Sequence, residues 1–191
     1  MNDFDEIECK YLDINISYLT DKIEALGGVK MFSRTFRSYV FDYPDKSLDT
    51  KYAWLRLRDE GDAIRLAYKQ RQGVKDGKND EGMKEVEVVV DDFEKTAKIF
   101  RSLGMEVKFY EEKKRIQYEL NGVEVCIDQW PLIPPYAEIE GRSWEEVDTM
   151  AEKLGFDLKN KKIFSAMQVF AKYGINENDY SVLTFDKQIK K

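Results

Sequence analysis

The 191-residue sequence contains no histidine. That absence excludes imidazole metal ligands, Ser-His and Cys-His nucleophile pairs, and a histidine general base. Acid–base or metal chemistry then falls to carboxylates, lysine, tyrosine or water. Only two cysteines occur, Cys9 and Cys126, and they form no CxxC pair. Two buried, reduced thiols are expected rather than a disulfide. No apolar run approaches the length of a membrane span. The acidic, interrupted start MNDFDEIECK does not have the pattern of a signal peptide. A net charge of −6 makes the surface as a whole a poor match for a nucleic-acid backbone. These exclusions predict a cytoplasmic protein with no DNA and no membrane partner, as a monomer or homodimer.

What the chain has in excess is charge, 36% of residues against the usual quarter or so. Much of it alternates with apolar residues, the period-two signature of half-buried strands. Eight segments read as strands: 4–11, 33–43, 53–59, 63–71, 84–90, 108–120, 123–128 and 136–140. Helical patterns fall at about 16–26, 92–103, 144–154 and 166–173, each stopped by a glycine (Gly27, Gly104, Gly155, Gly174). Ser143 with Glu146 predicts a capping box, and "DEGD" and "NG" predict hairpin turns at 59–62 and 121–122. "EALGG" and "RSLGM" lie 77 residues apart, each between a helix and a long strand. They predict a duplicated strand–helix–strand–strand unit and two four-stranded halves. The loop 71–82 reads as a polar connection and not a P-loop, since Gly73 and Gly77 enclose three residues and Asn79 replaces the Ser or Thr. Residues 142–191 are expected to form a helical extension packed on a 1–141 core, and Trp130 to pack rather than stack on a base.

Alternation gathers the charges on one face of each strand. Glu6, Glu8 and Lys10 share a face, as do Arg56 with Arg58, Arg65 with Lys69 and Arg71, and Glu85 with Glu87. So do Lys113 with Arg115, Glu124 with Asp128, and Glu138 with Glu140. On one strand this is an ordinary solvated face with weak ion pairs. Across eight strands it predicts an α+β fold: an eight-stranded antiparallel β-barrel or tunnel with a charged interior and helices packed outside. Such an interior is costly unless something compensates it. A triphosphate gripped by Arg and Lys, with carboxylates holding Mg²⁺ or Mn²⁺, meets that need. Oxygen-only donors favour those ions over Zn²⁺.

The motif E-x-E-x-K at 6–10 resembles the N-terminal signature of the CYTH superfamily, the triphosphate tunnel enzymes. "WLRLR", "LAYK", "EVEV", "KKR", "VCIDQW" and "YAEIEG" follow in the family's order across residues 4–141. The resemblance implies an eight-stranded tunnel acting on inorganic triphosphate, thiamine triphosphate or ATP. It implies metal-site roles for Glu6, Glu8, Asp128, Glu138 and Glu140, and phosphate contacts from Lys10, Arg56, Arg58, Lys69, Lys113 and Arg115. Glu8, Lys10 and Glu138 are the candidates for catalysis. Glu85 and Glu87 are assigned to a second metal or to balancing the cationic wall, and Arg65 stands where the family leads one to expect a smaller polar residue. Triphosphate hydrolysis is the leading expectation, a class IV-type adenylyl cyclase the second, and a noncatalytic nucleotide or polyphosphate sensor the third.

Overall fold

A computed structural model describes residues 7–73 and 83–191. The first run of elements is β1 (Ile7–Tyr11), α1 (Ile16–Ala25), β2 (Val29–Asp42), β3 (Ala53–Asp59) and β4 (Ile64–Arg71). A second run repeats that order with β5 (Met83–Val90), α2 (Phe93–Ser102), β6 (Glu106–Leu120), β7 (Val123–Gln129) and β8 (Tyr136–Gly141). The remainder carries α3 (Trp144–Lys153), α4 (Ala166–Lys172), β9 (Tyr180–Leu183) and β10 (Gln188–Lys190). All eight expected strands and four expected helices are present. Residues 1–6 and 74–82, which include Glu6 and most of the polar connection, lie outside the described residues.

The duplication is visible in the helix ends. Asn15 and Asp92, 77 residues apart, cap α1 and α2 by accepting from Tyr18 N–H and Lys95 N–H. Gly27 and Gly104 then take positive φ, 88° and 85°. Gly28 N–H returns to Ile23 C=O at 2.9 Å and Met105 N–H to Phe100 C=O at 3.0 Å, the same helix-ending motif twice.

The chain divides into two compact units, Met1–Arg34 with Lys113–Glu177, and Thr35–Glu112 with Asn178–Lys191. Unit 1 has the antiparallel ladders β1-β8-β7-β6, and unit 2 has β2-β3-β4-β5. Each of these ladders has four strands, but not those of one sequence half. Unit 1 combines β1 of the first run with strands of the second, and unit 2 combines β5 of the second run with strands of the first.

In unit 1 the apolar face of the sheet (Cys9, Tyr11, Tyr118, Leu120, Val123, Val125, Ile127, Ala137, Ile139) packs on Leu19 and Ile23 of α1 and on Val147, Met150 and Ala151 of α3. Ser143 Oγ accepts from Glu146 N–H at 3.2 Å, while the Glu146 carboxylate reaches Arg142 N–H at 2.9 Å, one residue before the expected cap. In unit 2 Phe41 and Leu57 pack on Phe93 and Ala97 of α2 and on Met105. Burial of these side chains supplies the hydrophobic stabilisation, about 25 cal/mol per Å² of apolar surface.

The start of β2 and the make-up of the tail differ most from expectation. β2 begins at Val29 rather than 33, because the glycine-ended helix feeds directly into strand. The tail is also not wholly helical. β9 and β10 pair with each other, and β9 adds in parallel to β6 through Tyr110–Val182 and Glu111–Leu183. Strands of four and three residues are too short for a period-two signal to show. Among the described residues no helix is long and apolar enough to cross a membrane.

Candidate functional site

Each unit presents one charged strand face, opposite its apolar core. In unit 1 the register sets Glu8 across from Glu140, Lys10 from Glu138 and Arg115 from Asp128. Lys10, only 3% exposed, donates to Glu8 Oε1 at 2.5 Å and pairs with Glu138 Oε2 at 2.9 Å. Arg115 grips Asp128 with two bonds of 2.7 Å, from Nε and Nη2, and Nη2 also reaches Glu138 Oε1 at 2.7 Å. Lys113 Nζ lies 3.2 Å from Asp128 Oδ2.

Bidentate, ionised hydrogen bonds of this kind are the strong ones. Burial by itself would raise the Glu138 carboxyl, but Arg115, Lys10 and Lys113 outweigh it and hold Glu138 well below the usual carboxylate range. Burial opposes the charge on Arg115 as well, and Asp128 and Glu138 reverse that to push Arg115 well above its ordinary value. Cys126, on the same face, donates its thiol to Glu124 at 3.1 Å. Cys9 and Cys126 are both buried and free of a disulfide, and burial pushes the Cys9 thiol up to about 11. Trp130 packs as expected, edge-on to Phe170 at 5.7 Å, with its indole N–H on Tyr136 OH at 3.0 Å.

Unit 2 is built on Arg56 and Arg58, with Leu55 and Leu57 turned to the core between and beside them. Lys69 pairs with Glu85 at 2.7 Å, and Arg65 with Glu87 at 2.9 Å. Those pairs set Glu85 and Glu87 against cations of the same face. Arg58 is held through Nη2 by Glu60, a residue of the β3–β4 turn. Arg56 differs from all of these. Its cross-strand neighbours are Val40 and Ala67, neither of them charged. The Nε atoms of Arg56 and Arg58 are buried with no hydrogen-bond partner among the described residues. Burial, reinforced by Arg58, outweighs the nearby carboxylates of Glu111, Glu85 and Glu87 and pulls the Arg56 guanidinium down to about 10, which still leaves it charged at neutral pH.

The family model for the CYTH domain matches residues 5–170. The chain belongs to the CYTH family. Its matched region takes in both charged faces and runs through α3 into α4. Among solved structures, a conserved hypothetical protein from Pyrococcus furiosus is 23% identical, with a TM-score of 0.65 over 86% of this chain and 99% of that one. A putative adenylate cyclase from Vibrio parahaemolyticus is 14% identical, with a TM-score of 0.71 over 87% of this chain and 98% of its own. A putative adenylyl cyclase from Hippeastrum is 17% identical, with a TM-score of 0.59 over 89% of this chain and 96% of its own. These likenesses establish the shared fold. No curated protein sequence matches the chain.

The residues assigned from sequence thus fall into two sets. Glu8, Lys10, Lys113, Arg115, Asp128, Glu138 and Glu140 belong to unit 1, and Arg56, Arg58 and Lys69 to unit 2. Among the described residues no three carboxylate or cysteine side chains converge as ready metal ligands. Glu60 was not legible as a site residue. Its one signal was a carboxylate two positions after Arg58, inside a turn.

Proposed function

We propose that the chain is a metal-dependent enzyme that acts on a triphosphate, hydrolysing an inorganic or organic triphosphate. The observation that carries this reading is the pair Arg56 and Arg58, two guanidinium groups whose buried Nε atoms have no partner among the described residues. A buried guanidinium N–H without an acceptor is costly, and a polyanion supplies several charge-assisted acceptors at once. Lys69, on the same charged face of unit 2, is a further phosphate contact in this reading, and Lys10, Lys113 and Arg115 keep the phosphate-contact roles that the family resemblance implies.

Mg²⁺ or Mn²⁺ fits the chemistry of the donor set, which is all oxygen and carries no imidazole or free thiolate. Glu8 and Glu140, opposed across β1 and β8, would hold the ion together with Glu6, Asp128 and Glu138. Bound there, a divalent cation neutralises phosphate oxygens and lowers the pKa of its water. The chain's own contribution is positional. Guanidinium N–H groups fixed by the fold stabilise charge on the transferred phosphoryl group without reorganising. Lys10 Nζ, steadied by Glu8 and Glu138, presents a proton to a phosphate oxygen.

Cyclisation of ATP is the second reading, supported by neighbours named as putative adenylate cyclases. There the ribose hydroxyl attacks the α-phosphorus and pyrophosphate leaves. The Hippeastrum neighbour, itself named a putative adenylyl cyclase, is described as having a dominant triphosphatase activity, which favours hydrolysis as the first reading. Incubation with tripolyphosphate, thiamine triphosphate and ATP, each with Mg²⁺ or Mn²⁺, separates the readings by product. Orthophosphate supports hydrolysis, and cyclic AMP with pyrophosphate supports the cyclase. Binding without turnover supports a sensor and would overturn the catalytic proposal.

A further inference from the structure

The turn between β3 and β4 contributes a carboxylate to the charged face of unit 2, and Arg65 gives it a second partner. Glu60 has one oxygen on Arg58 Nη2 and the other 3.0 Å from Arg65 Nε, while Arg65 Nη1 donates to Glu87 Oε1 at 2.9 Å. The register explains the convergence, since Arg58 and Arg65 are direct cross-strand partners and Ala67 faces Glu87. Like charges directly opposite on a ladder repel, and Glu60 sits where it bonds both. The Glu60 side chain is 14% exposed, against 38% for Arg65.

We propose that Glu60 is a positioning residue for the phosphate grip, aiming the Arg58 guanidinium, and that Arg65 neutralises Glu60 so that it can do so without repelling a polyanion. This inference rests on the triphosphate reading given above. Glu60 engages Arg58 through Nη2, and the Arg58 Nε–H, without an acceptor among the described residues, is left for a phosphate. Arg56 has no comparable strut among the described residues; its direction is set by burial in the strand face. The arrangement also accounts for Arg65 standing where a smaller polar residue was expected. An arginine there supplies the counter-charge that a small polar residue cannot.

An anionic residue beside an anion site can act with either sign. If Glu60 only competed with substrate for Arg58, removing its charge would tighten binding. As a positioning residue it should do the reverse. Calorimetric titration with tripolyphosphate and Mg²⁺ distinguishes the two, using Glu60→Ala, Glu60→Gln, Arg65→Met and, as a control on the site, Arg56→Ala. Glu60→Ala is expected to bind about tenfold more weakly, the scale of one misdirected charge-assisted hydrogen bond. Glu60→Gln keeps an acceptor for Arg58 and should recover part of that loss. Arg65→Met leaves the Glu60 charge shared with Arg58 alone, and should also weaken binding. Unliganded melting temperatures should stay within a few degrees throughout, so that folding does not explain the trend.

Tighter or unchanged binding by Glu60→Ala, with Arg56→Ala impaired, overturns this inference and leaves the triphosphate reading standing. Normal binding by Arg56→Ala overturns that reading itself. Equal affinities for Glu60→Ala and Glu60→Gln would also contradict a directional role.

Discussion

Arg115 and Arg56 occupy the same kind of position, an arginine on the charged face of a strand whose other face is core. Arg115 has Asp128 opposite it and ends with three short bonds to two carboxylates. Arg56 has Val40 and Ala67 opposite it and ends with an unpartnered Nε. Unit 1 has thus closed its electrostatics internally, with Lys10, Lys113 and Arg115 each on a carboxylate. Unit 2 pairs Lys69, Arg65 and Arg58 in the same way, while Arg56 has the charges of Glu111, Glu85 and Glu87 nearby but an Nε without an acceptor among the described residues. The comparison separates two uses of a buried charge. A cation bonded to carboxylates supports the fold as well as any ligand it meets, whereas a buried guanidinium N–H that the fold leaves without an acceptor is set aside for a ligand.

The largest effect should come from breaking the unit 1 network. Arg115→Met strips two hydrogen bonds from Asp128, which is 1% exposed, and leaves it dependent on Lys113. Urea unfolding should show a loss of about 3–5 kcal/mol, the scale for orphaning a buried ion. A loss below about 1 kcal/mol, the range of an exposed pair, would mean that Asp128 is solvated when Arg115 is absent.

The pH dependence comes next. Glu138 is held well below its ordinary value, so the unfolded state takes up its proton first as pH falls. Its stabilising contribution is complete above about pH 5 and fades progressively below about pH 4. The stability gap between wild type and Glu138→Gln should therefore be wide at neutral pH and shrink as the solution is acidified through that range. A gap independent of pH would show that Glu138 is not ionised in the fold.

Unit 2 should respond in the opposite sense. Without ligand, Arg56→Ala removes the repulsion with Arg58 and breaks no ion pair found among the described residues. Its stability should lie within about 0.5 kcal/mol of wild type, or above it. A marked destabilisation in the same urea assay would assign Arg56 to structure. The smallest expected effect concerns Cys9 and Cys126. Both thiols are buried, so native protein at neutral pH should react with an alkylating reagent only at the rate at which it opens. Fast, complete labelling of the folded protein would contradict that burial.

Parity in the sequence was enough to find the eight strands and which residues share each charged face. It could not say which charges meet, because that depends on register. Arg56 and Arg115 look alike by alternation, and only the pairing of β3 with β2 and β4, and of β6 with β7, tells them apart. Apolar patterning and terminal glycines made α1 to α4 legible, with Ser143 marking the start of α3 and the echo of "EALGG" in "RSLGM" marking the repeated ends of α1 and α2. The short strands β9 and β10 carry too few residues for a period to emerge. Glu60 lies in a turn, where alternation gives no direction at all, and its role depends on Arg65 arriving from the next strand.

The central claim is that the Arg56 guanidinium of unit 2 is a phosphate grip. Calorimetric titration of Arg56→Ala with tripolyphosphate and Mg²⁺, beside wild type, tests it most directly. The account predicts a loss of about 1.5–3 kcal/mol of binding free energy, the scale of a hydrogen bond to a charged group, in a protein that is no less stable when unliganded. Wild-type affinity in Arg56→Ala would contradict it.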